Sequence, residues 1–180
     1  MTTIRVLLAD DHAVIRDALS MLLETQPDIK IVGQAEDGRQ AVTLARELRP
    51  AVAVLDISMP HIDGLQATQL IRAESPETQV LILTMHDSDA HFFRALEAGA
   101  AGYITKERGP DELLAAIARI MSGKRYVSPD FAETLVDAAG STGTAPAHAR
   151  LSQREFLVLR LLAKGHSNAE VAARLNLSPK

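Results

Sequence analysis

"IRVLLADDHAVIRDALSMLL" (residues 4–23) reads as two elements joined at a pair of acids. Residues 4–9 are apolar almost without alternation, as a strand buried on both faces of a parallel sheet must be. Beyond Asp10 and Asp11, the residues Val14, Ala18, Leu19, Leu22 and Leu23 recur at helical spacing. The same unit returns down the chain. Apolar runs at 29–35 (IKIVGQA), 52–56 (VAVLD), 79–84 (QVLILT) and 102–105 (GYIT) alternate with helical patterns. Those patterns include Ala41, Leu44, Ala45 and Leu48, then Leu65, Thr68, Leu70 and Ile71. Strands linked through helices lie parallel with right-handed crossovers. The expected fold is therefore α/β, a five-stranded parallel doubly wound sheet that closes with a helix from about Pro110 to Met121.

After Gly123 the pattern changes. "SPDFAETLVDA" (128–138) sets Ser before Pro, a helix start, and predicts a linker helix near 129–138. "AGSTGTAPAHA" (139–149) is small, polar and aperiodic, which reads as a flexible linker. Two Ser-x-x-Glu capping boxes, at 152–155 and 167–170, then open short helices separated by Gly165-His166. That is the beginning of an all-α helix-turn-helix fragment. The charge divides at the same place: residues 1–149 carry 13 Lys and Arg against 21 Asp and Glu, a net of −8, whereas residues 150–180 carry 6 against 2, a net of +4. A basic module behind an acidic body suits nucleic acid, although short segments also fluctuate in charge.

The 180 residues are 47% hydrophobic and 23% charged, enough for an ordinary globular core. With no cysteine, disulfides and cysteine-ligated zinc are excluded. No apolar run is long enough to cross a bilayer, and the N-terminus turns acidic too soon for a signal peptide. The expected location is the cytoplasm, with no membrane partner.

In an open parallel sheet, ligands bind beyond the carboxyl ends of the strands. There the chain places Asp10 and Asp11 after the first strand, Asp56 after the third, Thr84 at the end of the fourth and Lys106 after the fifth. Singly, each has an ordinary reading. Asp10 or Asp11 could cap the following helix, Asp56 could be a turn residue, and Thr84 and Lys106 say little. Together they form a cluster, and three carboxylates cannot crowd a cleft uncompensated. A hard cation that takes oxygen ligands resolves this, and Mg2+ is the expected cofactor. A hydroxyl and an ammonium beside it suit a phosphoryl group, so the chemistry that fits is phosphoryl transfer onto a carboxylate. The six histidines are scattered, His86 and His91 among them, and read as surface residues.

"LLADDH", "VLDISMPHIDG", "LTMHD" and "GYITK" resemble, in order and spacing over residues 4–122, the receiver domain of two-component response regulators. "LSQREFLVLRLLAKGHSNAEVAARLNLS" resembles the opening of a LuxR-type helix-turn-helix domain, and the pair resembles the NarL/FixJ family. The resemblance implies a flavodoxin-like receiver over 1–122, a linker over 123–150 and a LuxR-type domain over 151–180. It makes Asp56 the phosphoacceptor, charged by a sensor histidine kinase or a small phosphodonor. Asp10, Asp11, Asp56 and the backbone carbonyl of Ser58 would hold Mg2+. Thr84 and Lys106 would bind the phosphoryl group, and Tyr103 matches the aromatic whose rotamer reports phosphorylation, a plain core tyrosine being its other reading. His61 departs from the glycine common in relatives after Met59-Pro60; it could tune phosphorylation or be a solvated loop residue.

The function implied by the resemblance is control of transcription through promoter DNA. A homodimer on phosphorylation is a hypothesis, and no enzyme activity is expected beyond self-phosphorylation and dephosphorylation at Asp56. A receiver acting by protein contact, without DNA output, is the alternative. A haloacid-dehalogenase-like phosphatase would want Asp-x-Asp where this chain has Asp56-Ile57-Ser58, and a P-loop ATPase would want a Gly-rich loop ending in Lys-Ser/Thr. At the other end, Ser178-Pro179 would open the recognition helix. The expectation is a shortened piece of a transcription factor whose residues 151–180 are loosely folded or lean on the receiver, and which binds DNA weakly without sequence preference.

Overall fold

A computed structural model of the chain describes residues 3–85, 88–129 and 131. The chain divides into units of residues 1–134 and 135–180, and the described residues all belong to the first. Five strands fall on the apolar runs: β1 (Ile4–Ala9), β2 (Ile29–Ala35), β3 (Val52–Leu55), β4 (Gln79–Thr84) and β5 (Gly102–Thr105). They alternate with α1 (Ala13–Leu23), α2 (Gly38–Leu48), α3 (Gly64–Glu74), α4 (Asp89–Glu97) and α5 (Pro110–Met121). A short 3-10 turn, Lys106–Arg108, separates β5 from α5.

Local chemistry sets the helix starts. Asp37, Asp63 and Ser88 cap α2, α3 and α4, accepting from the backbone N–H of Gln40, Gln66 and His91. Gly109, at φ 81°, turns the chain into α5, whose first residue is proline. The N-cap of α1 is His12, with no side-chain cap bond, so neither Asp10 nor Asp11 serves that purpose.

The sheet is wholly parallel, in the order β2-β1-β3-β4-β5-β6. The expected five strands are all present. A sixth, β6 (Tyr126–Val127), pairs with β5 and carries the sheet into the segment assigned to the linker. Two residues are too few to show a period, which is why the sequence pattern leaves them as loop. β3 and β5 are buried throughout, and their unbroken apolar runs follow from helices on both faces. Val6, Leu8, Val54, Leu81, Leu83 and Ile104 share a core with Leu23 of α1 and Leu113, Ile117 and Ile120 of α5. Alternate residues such as Leu7, Leu55, Ile82 and Tyr103 point the other way, to the side of α2, α3 and α4.

Of the expected linker helix, Pro129 and Phe131 are helical; the rest of 129–138, the 139–149 linker and the helix-turn-helix at 151–180 lie outside the described residues, as does His86. Among the described residues, no helix is long and apolar enough to cross a membrane.

Candidate functional site

The strand order reverses between β1 and β3, and a ligand site is expected beyond their carboxyl ends. Two ladder bonds fix that edge: Asp10 N–H donates to the Ala35 carbonyl (3.1 Å) and Asp56 N–H to that of Ala9 (2.8 Å). Both carboxylates are therefore carried rigidly, and both residues are nearly buried, at 3% and 4% exposure. Lys106 arrives from the end of β5 with its side chain 9% exposed. Its Nζ donates to Asp10 Oδ2 at 2.5 Å and to Asp56 Oδ2 at 2.9 Å. Burial works to lower the Lys106 pKa, but the hydrogen bonds to Asp10 and Asp56 and their charges outweigh it, and the net shift is upward.

The remaining carboxylate oxygens are also held. Ile57 N–H donates to Asp56 Oδ1 (2.7 Å), and His12 N–H to Asp10 Oδ1 (2.9 Å). Oδ2 of Asp56 is thus the oxygen turned toward the cationic side of the cleft. Arg16 of α1 donates to the Asp10 carbonyl (2.5 Å), tying the helix to the strand end. Asp11 lies at the surface, its Oδ1 2.8 Å from His12 Nδ1. Asp10, Asp11, His12 and Asp56 each offer a ligand atom, all within 4.8 Å of one another.

This donor set suits a hard divalent cation. Three carboxylates gather there, two of them bonded to the Lys106 ammonium, and all but one of the donors are oxygens. His12 is the member that sequence reasoning missed; its place directly after Asp10-Asp11 was the available signal.

Thr84 is fully buried at the end of β4, level with Thr105 and so one residue from Lys106 in the neighbouring strand. Ser58 lies exposed in the β3–α3 loop. That loop closes tightly. Gly64 N–H donates to the Ile57 carbonyl (3.0 Å), and a Cβ on Gly64 would overlap the Asp56 carbonyl oxygen. Gly38, at the start of α2, is pressed in the same way against the Ile62 carbonyl. His61, in the same loop, is left-handed with φ 65°. Tyr103 stands apart from the carboxylates, fully buried on the α4 side and edge-on to Phe92 and Phe131. Phe131 belongs to a segment that sequence reasoning kept outside the domain, and no periodic signal pointed to it.

Comparison with known proteins gives two family matches. Residues 6–118 match the response regulator receiver domain, and residues 149–180 match the bacterial regulatory proteins of the luxR family. The chain is 36% identical over 178 residues to the response regulator UvrY of Escherichia coli strain K12, covering 98% of this chain and 82% of that one. Among solved structures it is similar to a LuxR-family two-component response regulator from Aurantimonas sp. SI85-9A1, with a TM-score of 0.73 and 38% identity over 78% of this chain and 100% of that one. It is also similar to RcsB in a structure of two RcsB dimers bound to two parallel DNAs, with a TM-score of 0.73 and 28% identity over 98% of this chain and 85% of that one.

Proposed function

Because the chain belongs to the NarL/FixJ family of two-component response regulators, with a receiver domain and a LuxR-type DNA-binding domain, we propose that Asp56 is the phosphoacceptor through which its transcriptional output is switched. One observation carries this reading. Lys106 Nζ joins Asp10 and Asp56 in a buried contact across three strand ends, where a charged cluster would be costly without a use.

Asp56 Oδ2 attacks the phosphorus of a phosphohistidine on a sensor kinase, or of a small acyl phosphate. The new O–P bond forms as the old N–P or O–P bond breaks, and the leaving imidazole or carboxylate keeps the electron pair. Ile57 N–H holds Oδ1, which fixes the carboxylate plane and leaves Oδ2 as the nucleophile. The Lys106 ammonium sits where charge gathers on the incoming phosphoryl oxygens, and Thr84 Oγ1 is the hydroxyl assigned to bind one of them. Asp10, Asp11, Asp56 and the Ser58 carbonyl are the groups that would hold Mg2+, which supplies charge neutralisation when bound. Apart from gaining and losing this phosphoryl group the protein is not an enzyme, and its place is the cytoplasm.

Promoter DNA is the output partner, contacted through the LuxR-type domain that the basic 150–180 segment matches, and phosphorylation favours a homodimer. The decisive experiment is incubation with a small phosphodonor and Mg2+, followed by intact mass. One hydroxylamine-labile phosphoryl group per chain is expected in wild type and none in Asp56→Asn. Equal incorporation in the two would sink the assignment. Sedimentation with and without phosphodonor tests the dimer, which unchanged mass at high concentration would refute.

A further inference from the structure

The chain has few aromatic side chains, four Phe, two Tyr and no Trp, yet Phe92, Phe93, Tyr103 and Phe131 meet in one place. Phe92, Tyr103 and Phe131 form a closed triangle. Tyr103 meets Phe92 edge-on at 5.6 Å and 75°, and Phe131 edge-on at 5.0 Å and 82°. Phe92 and Phe131 stack at 5.0 Å and 24°. These are favourable ring geometries, and none of the three residues is more than 2% exposed.

Two sides of the triangle come from elements that any such sheet would have, α4 and β5. The third comes from beyond α5. β6 pairs with β5 in a register that sets Val127 against Tyr103, and Ser128 N–H reaches the Tyr103 carbonyl at 3.4 Å. The chain then turns, Phe131 N–H donating to the Ser128 carbonyl, and the Phe131 ring comes down on the Tyr103 ring. One short segment thus grips both the main chain and the side chain of Tyr103. Its other edge is fastened as well, Tyr126 OH donating to Glu112 of α5 at 3.0 Å.

β5 connects this grip to the charged cluster. Two residues beyond Tyr103 lies Thr105, paired with Thr84, and the next residue is Lys106. Lys106 and the strand partner of Thr84 therefore lie within three residues of Tyr103 along a paired strand.

We propose that Phe131 is a positioning residue of the switch: it holds Tyr103 in its buried orientation, so that the segment leading to the DNA-binding domain reads the state of Asp56 and in return tunes it. The inference rests on the reading of Asp56 as phosphoacceptor. Because coupling between two events is reciprocal, the seating of Phe131 must alter the affinity of the acceptor site as much as occupation of that site alters the seating. The buried Tyr103 is the orientation that Phe131 supports, and we assign it to the phosphoryl-bound state.

The test uses the full 180-residue chain with Mg2+ and beryllofluoride, a stable phosphoryl mimic. Beryllofluoride should slow amide exchange in the peptide spanning 124–131 of wild type. In Phe131→Ala, its apparent affinity should fall by about fivefold or more, the lower end of common allosteric couplings. Phe131→Leu, which keeps apolar bulk, guards against misfolding and should lie between the two. If the role of Phe131 is only structural, its variants lower the melting temperature but keep beryllofluoride affinity within twofold of wild type. That result, or unchanged exchange in 124–131, overturns the proposal while leaving Asp56 as acceptor. If Asp56→Asn binds beryllofluoride as wild type does, the acceptor reading falls, and this inference falls with it.

Discussion

Lys106 settles how two nearly buried carboxylates can share one cleft. It is the described cation in hydrogen-bond contact with both Asp10 and Asp56, and Asp56 keeps its other oxygen on the Ile57 N–H. Removing one partner of a buried ion pair strands the other charge, at a cost of about 3–5 kcal/mol. Lys106→Met should therefore lose stability in metal-free buffer by that order, read as a shift in urea midpoint at unchanged m-value. If the acidic cluster takes Mg2+, millimolar Mg2+ should restore more stability to the variant than it adds to wild type; equal gains would argue against a shared site. His61 poses the opposite problem. As a sequence feature it was only a departure from glycine, open to either a tuning or a solvated role, because a letter does not disclose a dihedral angle. With φ at 65° the reason for glycine there is steric: a Cβ in the left-handed region costs about 1 kcal/mol, partly offset by the freer unfolded chain of glycine. His61→Gly is expected to raise stability by about 0.5 kcal/mol, and a fall of that size would show that the imidazole makes a compensating contact.

At the scale of elements, what was legible followed the periodicity. Buried strands have no alternation to blur their ends, so 4–9, 79–84 and 102–105 are read directly as β1, β4 and β5, while 29–35, only part-buried at the sheet edge, is read as β2 from its apolar run. The helix from Pro110 to Met121 is equally plain, because Gly109 and Pro110 mark its start. β6 was not legible. Its two residues are strand only because β5 offers them a free edge, a tertiary cause with no local trace. The β3–α3 loop shows another limit. "DISMPHIDG" (56–64) reads as a loop, but its closeness to α3 rests on Gly64, where a methyl group would collide with the Asp56 backbone. Gly64→Ala must push the loop off its helix, and with it the Ile57 N–H that orients the Asp56 carboxylate, the proposed acceptor. The expected result is at least about tenfold slower phosphorylation by a small phosphodonor, a loss of about 1.4 kcal/mol in transition-state stabilisation, with far-UV helix signal retained. Wild-type rates in a folded Gly64→Ala protein would show that the loop can yield without moving the carboxylate.

Across the whole described unit, the gathering of the strand-end residues could be foreseen because topology performs the assembly. Residues 10, 56, 84 and 106 are remote in sequence, and a parallel sheet brings every strand end to one edge. The aromatic triangle could not be foreseen, since it needs the chain to return to the sheet after α5. Both features bear on how stability responds to alkali. The Lys106 pKa is raised in the folded protein, and the ammonium is favoured there over the unfolded chain. Its contribution is therefore complete below the unfolded value, about 10.4, and is lost as pH rises through the folded value. Tyr126, which fastens β6 to α5, acts with the same sign: burial, then its hydrogen bond to the Glu112 carboxylate, raises its pKa and favours the neutral phenol. Denaturant midpoints should thus show no change from Lys106 or Tyr126 near neutrality and should decline above about pH 10. Tyr126→Phe should remove the smaller part of that alkaline decline, because the phenol lies nearer solvent, and Lys106→Met the larger. If Lys106→Met loses stability with alkali as steeply as wild type, the ammonium is not what ties the three strand ends together.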